Sequence, residues 1–181
     1  TEILVEKALE NINVKNPRIL DLCTGSGCIL LTLLSEIEGA CGVGVDISDG
    51  ALKVAGTNRD KLELEGRAEF IKGDVFGDLS SLGRFDIVVC NPPYVTKDEY
   101  ETLEKSVRYE PVSALVADDE GLAFYKKLID IVPDLCNKNW IALCEIGAGQ
   151  DKALSVIYSG FKHRFYCDLS GIKRVLFWKS L

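Results

Sequence analysis

Residues 87–94 read Ile-Val-Val-Cys-Asn-Pro-Pro-Tyr, an apolar run that breaks into Asn91-Pro92-Pro93-Tyr94. Two prolines donate no backbone hydrogen bonds and fix their own φ, so a strand must stop here and leave Asn91 and Tyr94 on a stiff loop at its carboxyl end. In an open α/β sheet that is where ligands bind. The chemistry such a loop suits is methyl transfer to a planar nitrogen, such as an amide or an exocyclic amine. The lone pair of that nitrogen is delocalised, so the site must hold its N–H groups on acceptors while the lone pair faces the methyl group. The Asn91 side-chain carbonyl and the Pro92 backbone carbonyl are two such acceptors, and Tyr94 adds a flat face for stacking. Catalysis of this kind is mostly alignment and asks for no strong base. A bare Asn-Pro also ends many ordinary strands, and the reading therefore rests on the whole tetrapeptide.

A second signal lies upstream. Residues 18–27 read Arg-Ile-Leu-Asp-Leu-Cys-Thr-Gly-Ser-Gly and run into the helical stretch Cys28 to Leu34. Gly25 and Gly27 allow a tight turn and close approach of a ligand, and the following helix offers unpaired N–H groups. Asp46 closes the next short strand, 19 residues past Gly27, near the spacing at which an acidic residue reaches a ribose hydroxyl pair. The third glycine of the dinucleotide fingerprint is missing, because Leu30 stands in its place. The pattern therefore favours an adenosine ligand without a diphosphate, and S-adenosylmethionine, whose sulfonium donates a methyl group, fits both loops.

Periodicity supplies the elements that would hold these loops. Ile3, Leu4, Ala8, Leu9 and Ile12 predict a helix, Ile19 to Leu22 a strand, Ile29 to Ile37 a helix and Gly42 to Val45 a strand. Ser48 is placed to cap a helix running to about Glu65, and Phe70-Ile71 marks the third strand before Ile87 to Cys90. Val95 to Glu120 reads as a long polar segment, of a length that is usually a functional flap. Asp118 or Asp119 is the expected cap of a helix carrying Leu122, Tyr125, Leu128, Ile129 and Val132, with Pro133 near its end. Trp140 to Ile146 reads as a strand and Asp151 to Tyr158 as a helix, and Phe161 to Tyr166 and Val175 to Trp178 read as a closing antiparallel hairpin. Such alternation implies a parallel sheet with helices on both faces.

Composition bounds the rest. At 181 residues and 47% apolar the chain buries a core as one domain, residues 1–181. Its longest apolar stretch, Cys28 to Leu34, is far too short to cross a bilayer, so the expectation is a soluble cytoplasmic protein that meets no membrane. Seven cysteines, with no Cys-x-x-Cys pair and several inside apolar runs, suit a reducing compartment, and the single histidine, His163, has no ligand-spaced neighbours for a metal. A formal net charge of −7 disfavours nucleic acid as a direct partner, although Lys162, Arg164, Lys173 and Arg174 make a local basic patch near the end of the chain. No methionine occurs anywhere, so the chain is read as a fragment.

The run Asp21-Leu-Cys-Thr-Gly-Ser-Gly27, then Asp46, Gly73-Asp74, Asn91-Pro-Pro-Tyr94, Val107-Arg-Tyr-Glu-Pro111 with Ala114-Leu115, Gly121-Leu-Ala-Phe-Tyr125, and Glu145-Ile-Gly147 with Gln150 closely resembles the HemK/PrmC family. Those enzymes methylate a glutamine side-chain amide in peptide chain release factors. The resemblance implies a Rossmann-like class I S-adenosylmethionine-dependent methyltransferase fold of the α/β class. Its sheet is mostly parallel and seven-stranded, with the strand ending at Leu22 near the centre and an antiparallel strand at Val175 to Trp178. By position, Cys23, Thr24, Gly25, Ser26 and Gly27 line the cofactor pocket, Asp46 binds the ribose, and Asp74 and Val75 flank the adenine. Asn91, Pro92, Pro93 and Tyr94 hold the glutamine amide, with Asn91, Pro92 and Tyr94 as the catalytic set and Asn91 bordering the cofactor as well. Cys23 replaces the first glycine of the family's turn, a change expected to be tolerated. The family's amino-terminal helical domain, which grips the release factor, is not in this sequence. The competing reading is an N-methyltransferase acting on an exocyclic amine of adenine or guanine, which shares the Asn-Pro-Pro-Tyr loop. A partner-dependent methyltransferase subunit and a non-catalytic nucleotide-binding module are the remaining alternatives.

Overall fold

The computed structural model describes residues 1–102 and 111–180. Short apolar runs become strands, most deeply buried at β1 and β4: β1 (Arg18–Leu22), β2 (Cys41–Asp46), β3 (Ala68–Lys72), β4 (Phe85–Cys90) and β5 (Cys136–Glu145). All five run parallel, and β6 (Lys162–Cys167) and β7 (Lys173–Lys179) complete a seven-stranded sheet in the order β3-β2-β1-β4-β5-β7-β6. β7 is antiparallel to both β5 and β6. The expected mostly parallel sheet is present, with β1 beside its centre and the hairpin at one edge.

Strand alternation divides the core in two. Ile19, Ile87, Val89, Leu143, Val175 and Phe177 face α1 (Glu2–Asn11) and α2 (Cys28–Glu36), which bury Leu4, Ala8, Leu30, Leu33 and Leu34 against them. Leu20, Leu22, Val88, Cys90, Ala142, Cys144, Leu176 and Trp178 face the opposite way. There they meet Tyr125, Leu128 and Val132 of α6 (Ala123–Leu135) and Leu154 of α7 (Asp151–Ile157). Each fully buried aliphatic or aromatic side chain contributes about 1.5–3 kcal/mol relative to an exposed one, so the two layers fix the sheet firmly beneath its loops.

Several local expectations are corrected. Ser48 does cap α3 (Asp49–Lys61), accepting the Ala51 N–H at 3.2 Å, but the helix stops four residues short of Glu65. α6 starts at Ala123 without a side-chain cap. Asp119, Glu120 and Gly121 have φ of 58°, 54° and 79°, so the chain turns left-handed between the expected caps and the helix. Pro133 does lie near the end of α6, inside its last turn. β5 begins at Cys136, ahead of Trp140, because the polar Asn137-Lys138-Asn139 is absorbed as an irregularity in the β4–β5 ladder. The Val95 to Glu120 segment is structured where described. It holds α4 (Lys97–Thr102), α5 (Val112–Leu115) and a Val95–Val116 bridge. Thr96 and Glu99 cap α4 reciprocally, at 3.2 Å from the Glu99 N–H and 2.9 Å from the Thr96 N–H. The Val107 to Glu110 part of the family motif lies outside the described residues.

Candidate active site

The carboxyl ends of β1 to β5 share one edge of the sheet. From β1 the chain steps outward through β2 to β3, then returns to place β4 on the other flank of β1, with Leu22 opposite Cys90. That reversal is the topological switch point at which α/β folds bind ligands, and it sets the glycine loop beside the Asn-Pro-Pro-Tyr loop.

The glycine loop crosses from β1 toward β2. The Thr24 N–H donates to the Val45 carbonyl at 3.0 Å, the Gly25 N–H to Asp46 Oδ2 at 2.8 Å, and the Gly27 N–H to the Thr24 carbonyl at 2.9 Å. Gly25 and Gly27 have φ of 56° and 77°, and a Cβ on Gly27 would lie 2.8 Å from the Phe70 ring. Cys23 also has a positive φ, 57°, which costs an L-residue roughly 1–2 kcal/mol and explains why glycine suits this position. The absent third glycine is compensated from the strand side. A Cβ on Gly42 would sit 2.6 Å from Leu30 Cδ1, so the missing side chain of β2 makes the room that Leu30 fills. Ser26 lies exposed at the tip of the loop.

Beneath the loop is a group that spacing did not single out, Asp21. It is wholly buried, and its Oδ2 accepts from the Thr24 hydroxyl at 2.6 Å and the Leu30 N–H at 3.3 Å. Its Oδ1 has no partner among the described residues. Burial pushes the Asp21 carboxyl up to about 7, against the two hydrogen bonds and with the help of the nearby Asp46 charge. A buried carboxylate with an orphaned oxygen under the glycine loop fits a cationic ligand such as a sulfonium. Its apolar position inside a strand run disguised it as a core residue. The Thr24 hydroxyl is committed to Asp21, its N–H to Val45 and its carbonyl to Gly27, so the buried Thr24 shapes the loop.

Asp46 closes β2 with its Oδ2 on Gly25 and its Oδ1 accepting the Ser48 N–H at 2.9 Å. Asp74 is exposed and accepts the Phe76 N–H at 2.9 Å, while Val75 is buried in the core. The apolar surface left at the ends of β2 and β3 comes from two residues not anticipated, Ile47 and Phe76, 59% and 48% exposed. Phe76 is braced edge-on by Phe124, centroids 5.0 Å apart.

In the second loop, Pro92 and Pro93 are buried and Asn91 and Tyr94 are partly exposed. The Asn91 amide nitrogen donates to the Thr1 hydroxyl at 3.3 Å. Its carbonyl oxygen and the Pro92 carbonyl accept no hydrogen bond from the described residues. Glu145, at the end of β5, accepts from the Tyr94 hydroxyl at 3.4 Å. Elsewhere, two members of the basic patch are neutralised, since Lys173 pairs with Asp151 at 2.7 Å and Arg174 with Asp168 at 3.3 Å. Among the described residues no helix is long and apolar enough to cross a membrane.

Sheet order, switch point and paired loops together are those of the Rossmann-like class I methyltransferase fold. At 18% identity, the hMettl16 catalytic domain, solved with the MAT2A 3′UTR hairpin 6, superposes with a TM-score of 0.74 over 96% of this chain and 68% of that one. Residues 1–110 match the methyltransferase small domain model, and the chain belongs to that family. It is 42% identical over 97% of its length to the release factor glutamine methyltransferase of Rhodospirillum rubrum, of which it spans 55%. It is also 42% identical, over 73% of its length, to the ribosomal protein uL3 glutamine methyltransferase of Francisella tularensis, of which it spans 42%. The chain thus covers about half the length of the curated relatives it matches.

Proposed function

We propose that this domain transfers a methyl group from S-adenosylmethionine to the side-chain amide nitrogen of a glutamine in a peptide chain release factor. What carries the reading is the pair of carbonyls that accept no hydrogen bond from the described residues, Asn91 Oδ1 and Pro92 O, at the switch point beside the glycine loop. A primary amide has two N–H groups, and two fixed acceptors hold both while leaving the face of the nitrogen open. S-adenosylmethionine supplies an electrophilic methyl group, which moves to nitrogen as its bond to sulfur breaks, leaving a neutral thioether while the amide nitrogen gives a proton to solvent.

The chain's own residues supply alignment. The Asp46 carboxylate, already held by two backbone N–H groups, has lone pairs left for ribose hydroxyls, and Ile47 and Phe76 offer apolar faces to the adenine near Asp74 and Val75. Asp21 supplies negative charge under residues 23–27. Tyr94 gives the flat wall of the substrate channel. The exocyclic-amine reading uses the same acceptors, but the relatives that match this chain over most of its length are named for glutamine, and the RNA-bound structure shares too little sequence to carry more than fold.

The test is incubation with methyl-labelled S-adenosylmethionine and either a release factor or an adenine-containing oligonucleotide, with mass spectrometry to locate the methyl group. A methylated glutamine is expected. Asn91→Ala should lower the turnover rate by on the order of a hundredfold, as for loss of one preorganised polar contact, with cofactor affinity nearly unchanged. Label on the oligonucleotide alone, or parent-rate turnover by the variant, would reject the assignment.

A further inference from the structure

Tyr94 is gripped from one side by a single connection, residues 145–150, that leads from β5 into α7. Its hydroxyl reaches Glu145 Oε1 at 3.4 Å, and its backbone carbonyl accepts the Gln150 side-chain N–H at 3.2 Å. Its ring lies so close to Gly147 that a Cβ there would come within 3.1 Å of Tyr94 Cδ2. Gln150 is itself held, because its Oε1 accepts the Gly147 N–H at 2.8 Å and its Nε2 also reaches the Gly121 carbonyl at 3.4 Å. The connection is anchored to the core: the buried Tyr125 hydroxyl donates to the Glu145 carbonyl at 2.9 Å, and the Ile146 N–H to the Arg174 carbonyl at 2.8 Å.

We propose that Glu145, Gly147 and Gln150 form a seat that positions Tyr94, and with it the acceptor carbonyls of Asn91 and Pro92, for the reacting amide; the proposal rests on the methyl-transfer reading of that loop. A proline-stiffened loop transmits a displacement at Tyr94 to its other end, since Pro92 and Pro93 have almost no φ freedom with which to absorb it. Gln150 also sorts the carbonyls. By engaging Tyr94 O it withdraws that acceptor from the substrate, and Pro92 O remains available. Gly147 is a glycine for space alone, because its φ lies outside the left-handed region, and its Cβ would meet Gln150 Oε1 at 3.0 Å as well as the Tyr94 ring. Gly121 is required twice over, with φ of 79° and Tyr94 O and Gln150 Nε2 crowding the Cβ position. The three seat residues act through Tyr94, which they contact directly, so they are positioning residues.

The seat is tested with Gln150→Ala, Gln150→Glu and Gly147→Ala. Hydrogen exchange at the Tyr94, Val95 and Thr96 amides reads the loop without requiring turnover, while kinetics with a release factor and calorimetry with S-adenosylhomocysteine read the site. Gln150→Ala should speed exchange at those amides, lower kcat by on the order of tenfold to a hundredfold, as for a misplacement near 1 Å, and leave cofactor affinity unchanged. Gln150→Glu keeps the acceptor for Gly147 but loses the donor to Tyr94 O, and should follow Gln150→Ala in both readouts. Gly147→Ala should keep the parent's thermal midpoint while losing kcat through the displaced ring. Unchanged exchange in both Gln150 variants overturns the seat, as does a lowered thermal midpoint with parent kcat. A parent protein that leaves glutamine unmethylated instead rejects the methyl-transfer reading, and exchange then still decides whether the seat exists.

Discussion

Replacing Asp21 with asparagine isolates the charge buried beneath the glycine loop. The carboxyl titrates near 7 when folded against an ordinary value of 3.8, so the folded state holds its proton more tightly than the unfolded chain does. As pH rises the unfolded chain ionises first, and stability falls between those two values. The full loss is roughly 4 kcal/mol, of which roughly 2–3 kcal/mol is incurred between about pH 5 and pH 8. The residue is wholly buried, so solvent screens little of this. Asparagine keeps the shape and can accept from Thr24 and Leu30 through its carbonyl, but it places an amide where Oδ1 lacks a partner among the described residues. Its absolute stability therefore combines a gain and a loss, and the diagnostic quantity is the slope. Urea unfolding of both proteins in the absence of ligand should show the parent losing roughly 2–3 kcal/mol more than Asp21→Asn over that interval. Equal losses in the two proteins would refute the account of Asp21 as a destabilising buried charge.

Asp46→Ala should weaken binding of S-adenosylhomocysteine by at least about tenfold in calorimetry, because hydrogen bonds to a charged acceptor contribute about 1.5–3 kcal/mol each and Gly25 and Ser48 lose their anchor as well; unchanged affinity would remove the ribose role. Thiol labelling of the native protein should modify the exposed Cys28, Cys41 and Cys167 and spare Cys90, Cys136 and Cys144 until denaturant is added. Burial raises the last three thiols, Cys136 to about 12, so almost no thiolate is present at neutral pH. Rapid native labelling of Cys90 or Cys144 would show that the sheet opens at its centre.

Chemistry-bearing loops were legible in the sequence because glycine, proline and asparagine act on the backbone locally. Asn91-Pro92-Pro93-Tyr94 ends a strand wherever it stands, and Gly25 and Gly27 permit the φ of 56° and 77° that the turn uses. Alternating apolar runs likewise required a parallel sheet with covered faces. Boundaries set by competing contacts were not legible. Nothing local announces that Asp118 and Asp119 would be bypassed by a left-handed turn, or that Asn137 to Asn139 would be absorbed into β5. The Thr96-x-x-Glu99 cap was readable in principle, but the surrounding polar run concealed it. The sequence by itself determined where strands stop, which residues carry acceptors, and that a glycine loop and an Asn-Pro-Pro-Tyr loop exist. Tertiary structure alone decided that those loops are neighbours, because only the reversal of strand order places β4 against β1. It likewise decided that Asp21 is a strained charge and Gln150 a brace, since burial and a reach across 56 residues of chain to Tyr94 depend on how the strands and helices pack, and local propensity carries no information about that.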